Sequence, residues 1–310
     1  MTDLRSALAD YLALRNNLGH KLTDAARVLP RFVTWMEKTG QGTVTTAAAM
    51  DWSQLPTAGP GSVIWAHRMT AVRGFARYLS AIDAATEVPP LGLLPQRHRW
   101  QPPFIYTPAD IAALLAAAGC MPTRRRAVTY QTLFALLATT GMRVGEAIRL
   151  DSADVDWDHG VLLIRESKFG KSRHVPLQPS AVNGLRDYAD HRNRYRPLPG
   201  NDSFFISLTG RRLIYVSVGQ VFRELRAETG IGAGSPARPR IHDLRHTFAV
   251  TTLLDWYRDG GDVAARLPWL STYLGHHDPR STYWYFSATP ELLAAAAARL
   301  EPIIGSVVPS

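Results

Sequence analysis

Six prolines between residues 89 and 108 partition this chain of 310 residues. Pro89, Pro90, Pro95, Pro102, Pro103 and Pro108 are too dense for a packed helix. Each lacks a backbone N–H and disfavours helical geometry in the residue before it. Residues 86–106 therefore read as an extended linker. Arg97, His98 and Arg99 give it a basic centre, which either follows a phosphate backbone or is simply solvated. The flanking stretches, 1–85 and 107–310, are each long enough to bury a core.

Before the linker the apolar spacing is helical. Over 3–18, Leu4, Leu8, Tyr11, Leu12 and Leu18 recur at helical intervals, and Gly19 ends the run. Over 21–38, Leu22, Ala25, Ala26, Leu29, Phe32, Val33 and Met36 do the same, with Pro30 expected to bend or interrupt the helix. Over 62–82, Val63, Ile64, Met69, Val72, Phe75 and Leu79 are expected to face inward, and His67, Arg68, Arg73 and Arg77 largely outward.

After the linker, Thr107-Pro108-Ala-Asp110 is a helix start, a cap followed by proline in the first turn. Helices are predicted at about 109–118, 127–140 and 143–150. Residues 161–166 and 173–177 are β-like runs around a glycine-containing turn, hence a hairpin. Helix dominates beyond about 180. The last helix has Thr289 as cap, Pro290 and Glu291 in its first turn, and runs from Leu292 to Leu300. The fold class is mainly α with a small antiparallel sheet.

The formal charge is +9. Residues 1–106 carry 11 Lys/Arg against 7 Asp/Glu, and residues 107–310 carry 24 against 19, so both halves are basic. That balance favours a polyanionic partner held from two sides. The single cysteine, Cys120, excludes an intramolecular disulfide and a cysteine-based zinc site. No apolar run approaches the roughly 20 residues that span a bilayer, and Met1-Thr-Asp-Leu-Arg lacks the plan of a signal peptide. The expectation is a cytoplasmic protein that acts on DNA.

Four segments carry chemistry. In His242-Asp-Leu-Arg245-His246 the positions i, i+3 and i+4 share a helical face, so His242, Arg245 and His246 point together. The pattern is not His-Glu-x-x-His, and a guanidinium between the imidazoles would repel a metal cation. Arg143 follows Gly141 at a helix start, with Glu146 placed to orient it or to form a routine ion pair. Lys168 and Lys171 occupy the hairpin turn, able to reach a groove or to remain solvated. Tyr285 follows His276 by nine residues, and Tyr283 would lie about 200° away from it around a helix.

The order and local wording of these segments resemble the tyrosine recombinase (phage integrase) family. The matching stretches are Thr140-Gly-Met-Arg-Val-Gly-Glu-Ala-Ile-Arg-Leu150, Ser167-Lys-Phe-Gly-Lys-Ser-Arg-His-Val-Pro-Leu177, Ile241-His-Asp-Leu-Arg-His-Thr-Phe-Ala249, and Tyr273-Leu-Gly-His276 through Tyr285. The N-terminal helices are similar, less specifically, to that family's SAM-like core-binding domain. The resemblance implies a helical domain at 1–85 and a catalytic domain at 107–310 that close as a C-shaped clamp on duplex DNA. It implies site-specific cleavage and rejoining through a 3′-phosphotyrosine intermediate and a Holliday junction, by a homotetramer on two paired sites.

Residue by residue, it implies that Arg143, Arg245 and His276 hold the scissile phosphate. Lys168 would protonate the leaving 5′ oxygen, His242 would assist proton removal, Tyr285 would be the nucleophile, and Glu146 would support Arg143. Arg73, Arg77, Arg97, Arg99, Lys171, Arg211 and Arg212 are candidate DNA contacts. Residues 255–268 lengthen the family's usual segment between His-x-x-Arg and Leu-Gly-His. The terminal helix, through Leu292, Leu293 and Leu300, is expected to dock on a neighbouring protomer, with its own domain as the alternative. No arm-binding domain is expected ahead of the helical one.

The chemistry is self-consistent. A tyrosine of pKa about 10 is only about 0.1% ionised at pH 7, a deficit of roughly 4 kcal/mol that cationic neighbours must offset. Planar guanidinium donors suit the charge that grows on the attacked phosphate. They occupy the electrostatic role of Mg²⁺ in other phosphoryl transfers, so neither a metal nor a cofactor is implied. No P-loop is present, so ATP is not implied. Competing readings are a type IB topoisomerase-like relaxing enzyme, a cleavage-inactive sequence-specific DNA-binding protein and a metal-dependent phosphoesterase.

Overall fold

Alternating capped helices and glycine turns build two units, Met1–Trp100 and Gln101–Ser310. The computed structural model describes residues 3–305 except 21, 57–62, 95–101, 166–171, 195–197, 199, 277, 279 and 288–289. Arg97, Arg99, Lys168, Lys171 and the Thr289 cap therefore lie outside the described residues.

The first unit holds α1 (Leu4–Asn17), α2 (Thr23–Lys38), α3 (Thr46–Ser53) and α4 (Val63–Leu79). Its core joins Leu8 and Tyr11 of α1, Leu29, Phe32 and Met36 of α2, Trp52 of α3, and Met69, Val72, Phe75 and Leu79 of α4. α2 continues through Pro30 to Lys38. The proline is exposed, and the buried stripe of Leu29, Phe32, Val33 and Met36 holds the helix together around the lost hydrogen bond. α3, which the apolar spacing does not reveal, is an octet whose start is capped by Thr45 Oγ1 accepting from the Ala48 N–H at 3.1 Å.

Two expectations for α4 are corrected. Val63 and Ile64 are exposed, because the apolar stripe begins only at Ala66 and Met69. Arg73 is not outward: it is 8% exposed and lies on the buried stripe beside Val72 and Phe75. Its Nε donates to the Pro89 carbonyl at 2.7 Å and its Nη2 to that of Pro90 at 2.8 Å. A proline-rich strand cannot enter a ladder, so its carbonyls need a side-chain donor wherever they are covered. Leu94 is buried in the same core, so the first part of the proline-rich stretch belongs to the first unit and is not a free spacer. Arg77 remains exposed.

The second unit contains α5 (Pro108–Gly119), α6 (Arg124–Thr140), α7 (Val144–Arg149), α8 (Pro179–Arg194), α9 (Tyr215–Thr229), α10 (Asp243–Arg258), α11 (Val263–Leu274), α12 (Arg280–Tyr283) and α13 (Pro290–Gly305). Thr107 and Asp110 form the predicted start of α5 as a reciprocal capping box. β1 (Val155–Asp156), β2 (Val161–Ile164) and β3 (Arg173–Pro176) make an antiparallel sheet in sequence order. Leu162 opposes Val175 and Ile164 opposes Arg173. That register buries Leu162, Ile164 and Val175 against Leu133, Phe134 and Leu137 of α6 in one core cluster.

A second cluster joins Ala249, Val250 and Leu253 of α10 to Leu267, Leu270 and Leu274 of α11, with Tyr285 and Leu292. Leu292 packs α13 on its own unit, the alternative that the sequence also offered, while Leu293 is exposed.

Arg73→Ala leaves the buried Pro89 carbonyl and the part-buried Pro90 carbonyl without their donor and should cost the DNA-free protein about 1–3 kcal/mol. Arg77→Ala should stay within about 0.5 kcal/mol. Urea unfolding read by tryptophan fluorescence checks both, and an unchanged midpoint for Arg73→Ala would refute the clasp.

Candidate active site

Two glycine turns deliver the charged groups. α6 ends on Gly141 with φ +59°, and a Cβ there would sit 2.5 Å from the Phe248 ring. Glycine is required both by the left-handed backbone and by that close approach. The chain turns directly into Arg143, the N-cap residue of α7. The Arg143 backbone N–H donates to Glu146 Oε2 at 2.9 Å, and its Nη1 donates to Oε1 at 2.8 Å. α11 ends on Gly275 with φ +68°, where a Cβ would lie 2.8 Å from Arg173 Nη1. His276 follows at once.

Three consecutive carbonyls at this helix end accept from three different arginines. Tyr273 O takes Arg173 Nε at 2.8 Å, Leu274 O takes Arg245 Nη2 at 2.7 Å, and Gly275 O takes Arg143 Nη2 at 3.3 Å. Arg245, buried in the first turn of α10, also donates from Nη1 to Gly141 O at 2.9 Å. Both glycine turns are thus tied to one guanidinium. Glu146 accepts two further bonds from Arg173, at 3.1 and 2.8 Å.

Tyr285 lies on the 3₁₀ turn Trp284–Ser287 and is 2% exposed, whereas Tyr283 is 58% exposed. The Tyr285 ring stacks 5.9 Å from that of His276 and meets His246 edge-on at 5.5 Å. His246 in turn packs 4.9 Å from His242, the N-cap residue of α10 and the more solvent-open of the two. His276 Nδ1 faces Thr282 Oγ1 at 2.7 Å. With the hydroxyl as donor, that bond leaves the imidazole hydrogen on Nε2.

Burial pushes the Tyr285 phenol above its ordinary pKa, while the charge and hydrogen bond of Arg245, and the charge of Arg143, pull it back. Burial opposes ionisation of Glu146, yet Arg173 and Arg143 hold its pKa at about 2. Arg245 is lowered to about 10 by burial and then by Arg143. Burial, followed by Arg245 and Arg143, brings His276 down to about 4. Burial and then His242 bring His246 to about 3. His242 is lowered by the same combination of burial and Arg245. At neutral pH these imidazoles are uncharged, so they can accept or donate a proton while the arginines carry the positive charge. Such a set suits an anion whose charge grows during reaction, attacked by a phenol. Among the described residues no group of three His, Cys, Asp or Glu could hold a metal ion.

Of the residues expected from the sequence, Arg143, Glu146, His242, Arg245, His276 and Tyr285 are linked by these contacts. Sequence reasoning missed Arg173 and Thr282. The Arg173 signal was a charged residue opening a strand against the buried Ile164; Thr282 gave none beyond its helical spacing from His276. Arg211 is exposed, at the edge of a cavity of about 460 Å³ that it shares with Arg125, Arg126 and Arg192. Arg212 lines the same cavity and is also engaged within its own unit. Its Nη1 donates to Ile148 O at 2.9 Å and to Leu150 O, and its Nη2 pairs with Asp151, so it ties the end of α7 to the 206–212 turn.

The residues between α10 and α11 form a turn closed by an Arg266–Asp259 ion pair. Most of residues 255–268 lie within α10 and α11, and the connection at 259–262 leaves Leu274 and Gly275 against Arg245 and Arg143.

Comparisons with known proteins agree with this geometry. The model of the phage integrase family matches residues 106–291. A Sinorhizobium fredii (strain NBRC 101917 / NGR234) protein, y4rB, provisionally named an integrase/recombinase, is 42% identical over 97% of this chain and 98% of its own length. Tyrosine recombinase XerD of Mycobacterium tuberculosis (strain CDC 1551 / Oshkosh) is 33% identical over 79% of this chain and 76% of its own. Among solved structures, the Tn1549 transposon integrase in complex with transposon right end DNA shares the fold with a TM-score of 0.66 at 17% identity, covering 95% of this chain and 99% of that one. XerH recombinase bound to a palindromic difH substrate superposes with a TM-score of 0.61 at 19% identity, covering 83% and 73%. With more than half of its length matched by the family model and a full-length relative at 42% identity, the chain belongs to the phage integrase family of tyrosine recombinases.

Proposed function

We propose that this protein is a site-specific recombinase that cuts and rejoins duplex DNA through a 3′-phosphotyrosine link and a Holliday junction. The observation that carries the reading is the burial of Tyr285 against His276 and His246, with Arg245 close enough to draw on its phenol. In this reading Arg143 and Arg245 grip the non-bridging oxygens and His276 donates a further hydrogen bond. His242, neutral at pH 7, takes the proton from Tyr285. Lys168 protonates the 5′ oxygen, and the phosphotyrosine conserves the bond energy for rejoining. Glu146 keeps Arg143 in place. Both units hold DNA, with Arg77, Arg97, Arg99, Lys171 and Arg211 as contacts to the phosphates or bases, and four copies assemble on two sites in the cytoplasm.

The cationic neighbours answer the phenol's problem in a specific way. Without DNA they do not overcome burial, and the Tyr285 pKa stays raised. The nucleophile is therefore held protonated until a phosphate is in place and a base can take the proton during attack.

Three outcomes test this. Tyr285→Phe should form no SDS-stable adduct with nicked DNA, and Tyr283→Phe should form it normally; an adduct persisting in Tyr285→Phe would overturn the assignment. Sequencing the DNA trapped by the parent protein identifies the site. Arg143→Ala or Arg245→Ala should slow adduct formation on the order of a hundredfold, about 3 kcal/mol, the usual cost of one preorganised donor.

The third concerns pH. Folded His276 and His246 titrate at about 4 and about 3, whereas unfolded histidine titrates near 6.5. On acidification the unfolded state binds these protons first, so their contribution is complete above about pH 6.5 and is lost as pH falls toward 4. Melting temperature followed across that window should drop, and less steeply in His276→Gln.

A further inference from the structure

Arg173 stands behind the proposed site without entering it. Its Nε donates to Tyr273 O, and Nη1 and Nη2 donate to the two oxygens of Glu146. Three of its five N–H groups are thus engaged with protein, and its side chain is 9% exposed. Arg143 differs: it shares Glu146 and takes Gly275 O, but keeps 27% of its side chain open. One arginine faces outward and the other braces it.

We propose that Arg173 is a positioning residue for the reaction: through Glu146 it fixes the guanidinium of Arg143, and through the Tyr273 carbonyl it fixes the turn that carries His276. The inference rests on the functional reading above. Each Glu146 oxygen accepts one bond from Arg143 and one from Arg173: Oε1 from both Nη1 atoms, Oε2 from the Arg143 backbone and Arg173 Nη2. A carboxylate gripped this way cannot rotate about its last bond, so the Arg143 fork is set in both distance and plane. Remove Arg173, and Glu146 is left buried with half its donors and free to swivel, and Arg143 swivels with it. The same loss frees Tyr273 O, one residue before the carbonyl held by Arg245 and three before His276.

Burying a third guanidinium beside Arg143 and Arg245 also carries a repulsive cost, which Glu146 and the negative end of α11 offset. A residue serving stability alone would be better replaced by an apolar one. What the charge supplies here is alignment of other groups, and misalignment of about 1 Å can reduce rate on the order of a hundredfold.

The test compares Arg173→Met and Arg173→Lys with the parent on a nicked duplex of the trapped sequence. The duplex is made once with a natural scissile phosphodiester and once with a methylphosphonate, which lacks one anionic oxygen and so asks less of an aligned guanidinium. Adduct formation is measured in single turnover at saturating protein, with DNA affinity and melting temperature alongside. On the phosphodiester, Arg173→Met should slow the step roughly 10- to 100-fold with affinity unchanged. Arg173→Lys, which keeps the charge but loses the planar fork, should recover part of it. On the methylphosphonate the Arg173→Met shortfall should shrink to a few-fold, in parallel with Arg143→Ala. A shortfall equal on both linkages would mark Arg173 as a stabiliser only, and no shortfall in a folded variant would likewise overturn the proposal. If the parent forms no adduct on either duplex, the recombinase reading itself falls and takes this inference with it.

Discussion

The end of α11 is the hinge of the whole arrangement. A helix C-terminus exposes carbonyls that have no partner within the helix and bears roughly half a negative charge. Here three of them in succession are answered by guanidiniums from α10, from the N-cap of α7 and from β3. Elements far apart in sequence are thereby fastened to one point, immediately before His276. Like charges that would otherwise separate are held together, because each has a carbonyl of its own and two share Glu146.

That fastening leaves a deliberate imbalance. Three guanidiniums face one carboxylate, and the surrounding imidazoles are neutral at pH 7. The surplus positive charge is suited to a phosphodiester, and more so to the extra charge that appears as a fifth oxygen approaches. Because the donors are already oriented by protein carbonyls, little reorganisation is left for the moment of reaction. The buried phenol supplies the complementary restraint: it stays protonated until a substrate shifts the balance.

Much of this was legible in the sequence, and the limits were physical. Arg143, Arg245, His276 and Tyr285 sit in short local patterns; helical geometry allowed only one of Tyr283 and Tyr285 to face the site, and the spacing from His276 selected Tyr285, the buried ring. The β-hairpin, the α5 cap and the approximate bounds of α1, α2, α4 to α7 and α13 followed from apolar spacing, capping chemistry and glycine punctuation, whereas α8 to α12 were legible only as a mainly helical stretch. What failed was anything that depended on long-range partners. Arg73 was expected outward, and its bonds to the Pro89 and Pro90 carbonyls, 16 and 17 residues on, explain its burial. The bonds of Arg212 to Ile148 O and Asp151 were likewise beyond any spacing rule. Arg173 lies 27 residues from Glu146 and 100 from Tyr273, distances at which no spacing rule operates.

The clasp formed by Arg73 has a mechanical corollary. With Pro89 and Pro90 held and Leu94 packed into one core, while Phe104 packs against the other, the leash between the two anchor points is ten residues long. Fully stretched, such a tether reaches about 35 Å, close to one helical turn of duplex.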